Sequence, residues 1–584
     1  MTRSDWLKQP LVIPLPEDPA LVLDGCRRLL GPNLYGRQPG AVGDALCEGL
    51  LRDRVLQAWP EYLALVLAGL EWGDAATVLR PFEGGASLYL AAPIDRLFTA
   101  AYAIEAAWYL CASELLGHPA PDRPALLADL RAIMDHESNP ALRAVATEAE
   151  ARGLDRLLDD DWVTFGHGAG AVTWAIDDLP ARPDWAAAHD IPLALVTGTN
   201  GKTTTTRLIA AMGRAARLMS GLSSTEFVKV GDEVLEKGDY AGPAGARLLL
   251  RDPRLELAVL EVARGGILRR GLPVGHAQVA VVTNVASDHL GQYGINTVQD
   301  LAQVKLSVHR ALRPCGQLVL NADDALVVAA APLGVQPVWF SLDPANPLIE
   351  AARSTGRACG WYQDGALMLS DGQADVALIA AADVPLSLGG AARYNIENAL
   401  AAALAARALG LQDEAIRAVL ASFRSDPADN PGRANAFTVN GAQVFVDFAH
   451  NPHSIAAVTS ALAALPAKRR FVLLSHAGDR SDEDIRGLVS GAFSLRPDVV
   501  VVAENPKYLR GRALGDVPAL MRQRCLELGL RADQILAADR PATGAQMILD
   551  LVQPGDIALL LVHDDRDQIF ALLGHGKELC SPTS

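Results

Sequence analysis

A Lys-Thr pair set between an apolar run and an amphipathic one constrains this chain more than any other feature. Residues Ile191 to Val196 are apolar and read as a buried strand, and Arg207 to Arg217 read as a helix. Between them lie Gly198, Thr199, Asn200, Gly201, Lys202, Thr203 and Thr204. A strand, a glycine-rich turn and a helix opening on Lys-Thr form a cradle for a nucleotide triphosphate. Backbone N–H groups and the helix N-terminus face the phosphates, the lysine neutralises charge, and the threonine hydroxyl holds Mg²⁺. The loop is shorter than the common form, because Val196 stands where the first glycine of that form would be.

The other bulk properties bound the setting. A chain of 584 residues predicts about three or four domains. With 52 basic and 68 acidic residues the net charge is −16, which argues against nonspecific binding to nucleic acid or anionic membrane. The seven cysteines form no Cys-x-x-Cys pair, a pattern that fits a reducing cytosol rather than a disulfide framework or structural zinc. Residues Met1 to Trp6 lack a basic-then-apolar leader, and no apolar run reaches about 18 residues. The expectation is a cytoplasmic protein with no membrane span and no nucleic-acid partner.

Three regions follow from the pattern. Residues 1–189 read as an N-terminal α+β domain, with helical periodicity over Gly43–Leu70, Ile94–Leu116, Arg123–His136 and Ala141–Leu158 and short strands at Ser87–Ala92 and Trp162–Phe165. Residues 190–430 alternate strands and helices, which predicts an α/β domain with a mostly parallel sheet and ligands at the carboxyl ends of its strands. Its strands include Leu257–Leu260, Val279–Val282 and Leu318–Leu320, followed by an antiparallel patch over about 335–390 and a helix over Tyr394–Leu409. Residues 431–584 restart the alternation as a Rossmann-like α/β domain, with strands at Val444–Asp447, Phe471–Ser475, Val499–Ala503 and Ile557–Val562.

Several polar groups fall at strand ends near the loop. Glu261 ends one strand, where a carboxylate can hold Mg²⁺. Asn284, Asp288 and His289 follow another; a metal site, a base and an internal loop pair are all open readings. Lys305 lies on a helix, and spacing alone makes it a surface lysine. Asn395 and Asn398 share a helix face and fit an adenine edge or an N-terminal cap equally well. Arg433 sits beside Pro431 and Gly432, and Asp447 and His450 follow a strand of the last region. Their alternatives are phosphate and ribose contacts or surface ion pairs.

Taken in order, these motifs resemble the Mur ligase family of ATP-dependent amide ligases. The loop Gly198–Thr204, the pairs Thr283-Asn284 and Asp288-His289, the pair Asn395 and Asn398, the run Pro431–Arg433 and the run Asp447–Pro452 match from about residue 190 onward. Within the family, the run Glu261–Gly271, the run Leu318–Asp324 and the run Leu509–Arg512 are similar to the ligase half of cyanophycin synthetase; Leu30–Tyr35 resembles the opening of that enzyme's N-terminal domain. That enzyme carries an ATP-grasp domain between the two parts, and here the N-terminal region runs directly into the loop.

The resemblance implies a P-loop Mur-type central domain that uses ATP to phosphorylate a carboxylate, after which an amine attacks. It implies Lys202, Glu261, His289 and Lys305 as catalytic groups, with Thr203, Glu261, His289 and Lys305 around Mg²⁺, the lysine in carbamylated form. Gly198, Thr199, Asn200, Gly201, Thr204, Asn284, Asn395, Asn398, Arg433 and Asp447 would surround the nucleotide. Arg264, Arg269, Arg270, His450, Arg510 and Arg512 would face substrate. The implied partners are a small-molecule or peptide carboxylate and an amino acid; residues 1–189 would dock the acceptor or make a homo-oligomer contact. A phosphotransferase and a non-catalytic nucleotide-binding protein are the alternatives.

Overall fold

The computed structural model describes residue 7 and residues 13–427 and 429–574; the stretch Met1–Trp6 lies outside them. An eleven-stranded sheet forms the middle of the molecule. Its centre is the strand Leu193–Thr197, flanked by Leu257–Glu261 and Ala277–Val282. Parallel pairing runs from Ser220–Ser223 at one side through Leu312–Asn321 and Val338–Ser341 to Cys359–Gln363 at the other. Antiparallel strands finish both margins, so the expected patch after residue 335 is present, and a second one lies at 227–237.

The central strands are apolar except at a few positions, Thr197, Glu261 and Gln278, because both of their faces are covered. Alternate residues serve two cores: Leu193, Leu195, Ala258 and Leu260 face one layer, and Ala194, Val196, Val259 and Val281 face the other. The second layer holds the helices Lys202–Ala215 and Arg393–Ala408. The latter buries Ala399, Ala401, Ala402, Ala403, Ala405 and Ala406. Side chains this small let two helices lie close on one sheet face.

The N-terminal region has a four-stranded antiparallel sheet and a three-stranded one. Two predicted helices are corrected here. The stretch 43–70 divides into the strand Gly40–Leu46 and the helix Gly49–Gly69. All but the last residue of that strand are buried, so no two-residue alternation marks it. A Cβ on Gly43 would lie 2.9 Å from the Cys26 sulfur, so the neighbouring strand needs the glycine. The stretch 141–158 divides into the helix Pro140–Ala151, capped by the Asn139 side chain, and the strand Arg156–Leu158. Gly153, at φ +74°, turns the chain between them.

The last region is a six-stranded sheet, parallel except for the hairpin of Asn435–Val439 with Ala442–Asp447. Among the described residues, no helix is long and apolar enough to cross a membrane.

Candidate active site

The loop Gly198–Lys202 leaves the central strand and is held from beneath by the adjacent strand end. The Thr199 N–H donates to the Asn284 carbonyl at 2.9 Å. The Asn200 N–H donates to Asn284 Oδ1 at 2.9 Å, and Asn284 Nδ2 returns a bond to the Asn200 carbonyl at 3.2 Å. The Thr283 hydroxyl donates to the same carbonyl at 2.6 Å. Two glycines allow this closeness. A Cβ on Gly198 would sit 1.9 Å from the Thr283 hydroxyl oxygen, and one on Gly201 would sit 2.1 Å from Asn398 Oδ1. Gly201 is also the left-handed N-cap of the loop helix, at φ +84°.

Around the helix start the structure gathers charge. Lys202 Nζ donates to the Thr199 carbonyl at 2.8 Å. Glu261 is buried at the end of its strand; one carboxylate oxygen accepts from the Thr225 N–H at 3.4 Å and the other has no hydrogen-bond partner among the described residues. Burial pushes the Glu261 carboxyl up, while Lys202, Arg433 and the Thr203 hydroxyl pull it down. Arg433 arrives from the last region, with Nη2 at 3.4 Å from the Thr203 hydroxyl and 3.9 Å from Glu226. An orphaned buried carboxylate oxygen beside a threonine hydroxyl is a donor set suited to a divalent cation. The two glycines let Thr283 and Asn398 pack against the loop backbone at the helix N-terminus that phosphates would face.

Lys305 is not a surface lysine. It is buried, and its ammonium donates to the Gly198 carbonyl at 2.7 Å. Burial and the neighbouring charge of Lys202 hold it well below the ordinary lysine value. A second cluster lies beyond it: one ligand atom each from Asp288, His289 and His450 fall within 4.8 Å of one another. His289 has φ +51°, a conformation costly for a residue with a Cβ. His450 joins from the last region.

The last region touches the loop directly. Asn451 Nδ2 donates to Asn200 Oδ1 at 3.1 Å, and Asn200 Nδ2 lies 2.8 Å from His453 Nδ1. Asn451 also caps the helix Pro452–Ala463. Just before that region begins, Asn430 Nδ2 donates to the Thr204 hydroxyl at 3.1 Å.

Other expected residues sit differently. Asn395 is not the N-cap of its helix, a place taken by Ala392; its amide bonds the Leu386 carbonyl and Asn398, and it supports the residue that touches the loop. Both Asp447 oxygens accept backbone N–H groups, from Ala434 and Ala449 at 2.7 Å each, and burial raises its carboxyl to about 6. Arg264 bonds Gln292 and leaves one terminal nitrogen unpaired, whereas Arg269 and Arg270 are exposed. Arg510 pairs with Asp479, and Arg512 binds the Gly478 and Arg480 carbonyls and Asp482. Those two arginines shape the 478–482 loop, and the cation that loop presents is Arg480, 3.4 Å from His289 Nε2. Arg480 and Glu226 carry no spacing signal in the sequence, because their positions depend on contacts across the cleft.

Two family profiles match the chain in succession: the Mur ligase middle domain over residues 196–406, and the Mur ligase glutamate ligase domain over residues 432–561. A cyanophycin synthetase from Crocosphaera subtropica is 38% identical over 371 residues, 63% of this chain and 42% of that protein. The chain thus spans less than half the length of that relative. A UDP-N-acetylmuramoylalanine–D-glutamate ligase from Methylococcus capsulatus is 30% identical over 66% of this chain and 71% of its own length. A UDP-N-acetylmuramoyl-L-alanyl-D-glutamate–2,6-diaminopimelate ligase from Geobacter metallireducens is 25% identical over 79% of this chain and 94% of its own. The phosphate loop, the Asn284 support beneath it and the arginine that reaches it from the last region lie inside the matched spans, and the chain belongs to the Mur ligase family.

Proposed function

We propose that the protein is an ATP-dependent ligase that activates a carboxylate as an acyl phosphate and joins it to an amino acid or other amine. The observation that carries this is the placement of Lys202, Thr203, Glu261 and Arg433 at one helix N-terminus, with the Asp288, His289 and His450 cluster beside it. The substrate carboxylate oxygen attacks the γ-phosphorus as the bond to ADP breaks. The amine nitrogen then attacks the acyl carbon, phosphate leaves, and the amine gives up a proton.

Two anions must meet in the first step. Lys202 and Arg433 lower that repulsion, and the N–H groups of the loop hold the phosphates in line. Thr203 and Glu261 are the residues that would hold Mg²⁺, with His289 and carbamylated Lys305 at a second ion. Bound there, the metal supplies charge neutralisation at the transferring phosphoryl group. Lys305 suits carbamylation because burial and the neighbouring Lys202 disfavour its charged form, and the modification turns a costly cation into a ligand. Arg264 and Arg480 face the acid or amine. The contact of Asn451 with Asn200 brings the last region over the loop, which excludes water from the acyl phosphate. Residues 1–189, 190–430 and 431–584 are the units we assign to these tasks.

The test measures phosphate release from ATP with Mg²⁺ and pools of amino acids and acidic acceptors, with product mass as a second readout. Release that requires both an acid and an amine, with a product lighter by one water than their sum, is the expected result. Release that requires only one of them points to a phosphotransferase and overturns the reading.

A further inference from the structure

A cleft of about 980 Å³ opens between the N-terminal region and the central sheet. It is walled by the segments 272–276 and 310–314, which lead into the strands Ala277–Val282 and Leu312–Asn321. Those strands run parallel to Leu193–Thr197, whose far end carries the phosphate loop. The cleft therefore lies at the opposite edge of the sheet, one strand length from the nucleotide site, or about 20 Å.

Its lining is cationic against the sign of the whole chain. Arg37, Arg143, Arg156, Arg247, Arg310 and Arg313 line it, outnumbering the carboxylates of Asp74, Glu150 and Asp155; Arg143 and Arg247 are paired with Asp95 and Asp159, which leaves Arg37, Arg156, Arg310 and Arg313. Among the described residues, none brings a carboxylate into ion-pair distance of these four. Arg37 and Arg310 bond neutral backbone carbonyls, of Leu312 at 3.2 Å and Asn33 at 2.6 Å. Among the described residues, the Arg156 side chain has no hydrogen-bond partner. It is surrounded by protein that disfavours its charge, and Asp155 and Glu150 supply attraction only from beyond contact. The Asp155 carboxylate is already committed to the N–H groups of Arg156, Gly275 and His276.

We propose that this cleft binds a small ligand carrying several carboxylate or phosphate groups, at a site separate from the phosphate loop. Three observations support it together. A volume of this size suits a ligand of many atoms rather than a single ion. Guanidinium groups without a paired carboxylate, in a chain of net charge −16, draw anions to one place. Each guanidinium offers a planar fork that fits a carboxylate or phosphate edge. The site also touches both the N-terminal region and the central sheet, so occupancy would tie the two together.

The test is calorimetric titration of the full chain, saturated with ADP and Mg²⁺ so that the phosphate loop is filled. Tripolyphosphate and an Asp-Asp-Asp peptide are the probes, and they separate the phosphate source from the carboxylate source. Binding of either is expected, with Arg156→Gln and Arg313→Gln each weakening it about tenfold or more and leaving ADP affinity unchanged. Arg156 has no hydrogen bond to lose and Arg313 is exposed, so both variants should keep the wild-type melting temperature. Failure of both probes to bind overturns the proposal. So does binding that survives both substitutions, or binding present only when ADP is omitted.

Discussion

At the scale of the residue, Gly201 does what no other amino acid can do at its place. It holds φ +84° at the start of the loop helix, and the Asn398 amide oxygen occupies the space a Cβ would need. The neighbour cannot give way, because Asn398 is buried and tied to Asn395, itself bonded to the Leu386 carbonyl. Gly201→Ala should thus cost about 1–3 kcal/mol of backbone strain, plus the clash. It should also push the loop N–H groups away from the phosphate position. Nucleotide binding by calorimetry should fall at least as sharply as thermal stability. A Gly201→Ala protein that binds ADP like wild type would show that the contact with Asn398 does not set the loop.

At the scale of the element, the helix Pro452–Ala463 joins the last region to the phosphate loop through its cap. Asn451 accepts from the Ser454 N–H at 2.9 Å and donates to Asn200 Oδ1. Asn451→Ala removes both: about 1 kcal/mol as a helix cap, and the link that seats this region over the nucleotide. Turnover should drop several-fold with less change in ADP affinity, because the loop itself stays supported by Asn284. Equal losses in both would place the effect in the loop rather than in closure. Such elements divide cleanly into those legible in the sequence and those not. The central strands and the loop were legible because buried parallel strands are continuous apolar runs, and because glycine, lysine and threonine have fixed tasks at a phosphate. Strand Gly40–Leu46 was not, since burial on both faces erases its alternation and its alanines and glycines also suit a helix. Lys305 read as a surface residue by spacing, because only the tertiary packing around Gly198 shows that its ammonium is buried. Arg510 and Arg512 could not be told from Arg480, because three nearby cations look alike until their acidic partners are known.

At the scale of the whole molecule, one of the ties between the N-terminal region and the central sheet, beside the Arg37–Leu312 and Arg310–Asn33 bonds, is a buried carboxylate. Asp155 accepts from the Gly275 N–H at 2.9 Å and the His276 N–H at 3.1 Å, and His167 lies 3.2 Å away. Burial alone would raise its carboxyl; His167 beside it and the charge of His276 hold it at about 2 instead. His276, bonded to Asp190, is shifted the other way, above the usual imidazole value. The two groups bracket a stable window. The Asp155 contribution is present above the usual carboxylate range and is lost as pH falls toward 2; it amounts to about 2 kcal/mol by linkage. The His276 contribution is full below its unfolded value of about 6.5 and is lost as pH rises through the higher folded value. The junction is therefore tightest between about pH 4 and 6.5. Asp155→Asn keeps one acceptor but loses the charge, so the acid slope should disappear, while the slope above about pH 6.5 should persist in weakened form because Asp190 still bonds His276. The direct readout is hydrogen exchange at the Gly275 and His276 amides across this range. In the wild type, protection should peak inside the window and fall on either side. In the variant it should be lower, with no fall on the acid side of the window. Protection in Asp155→Asn that matched the wild type at pH 5.5 would mean that apolar packing, not this carboxylate, holds the N-terminal region to the sheet.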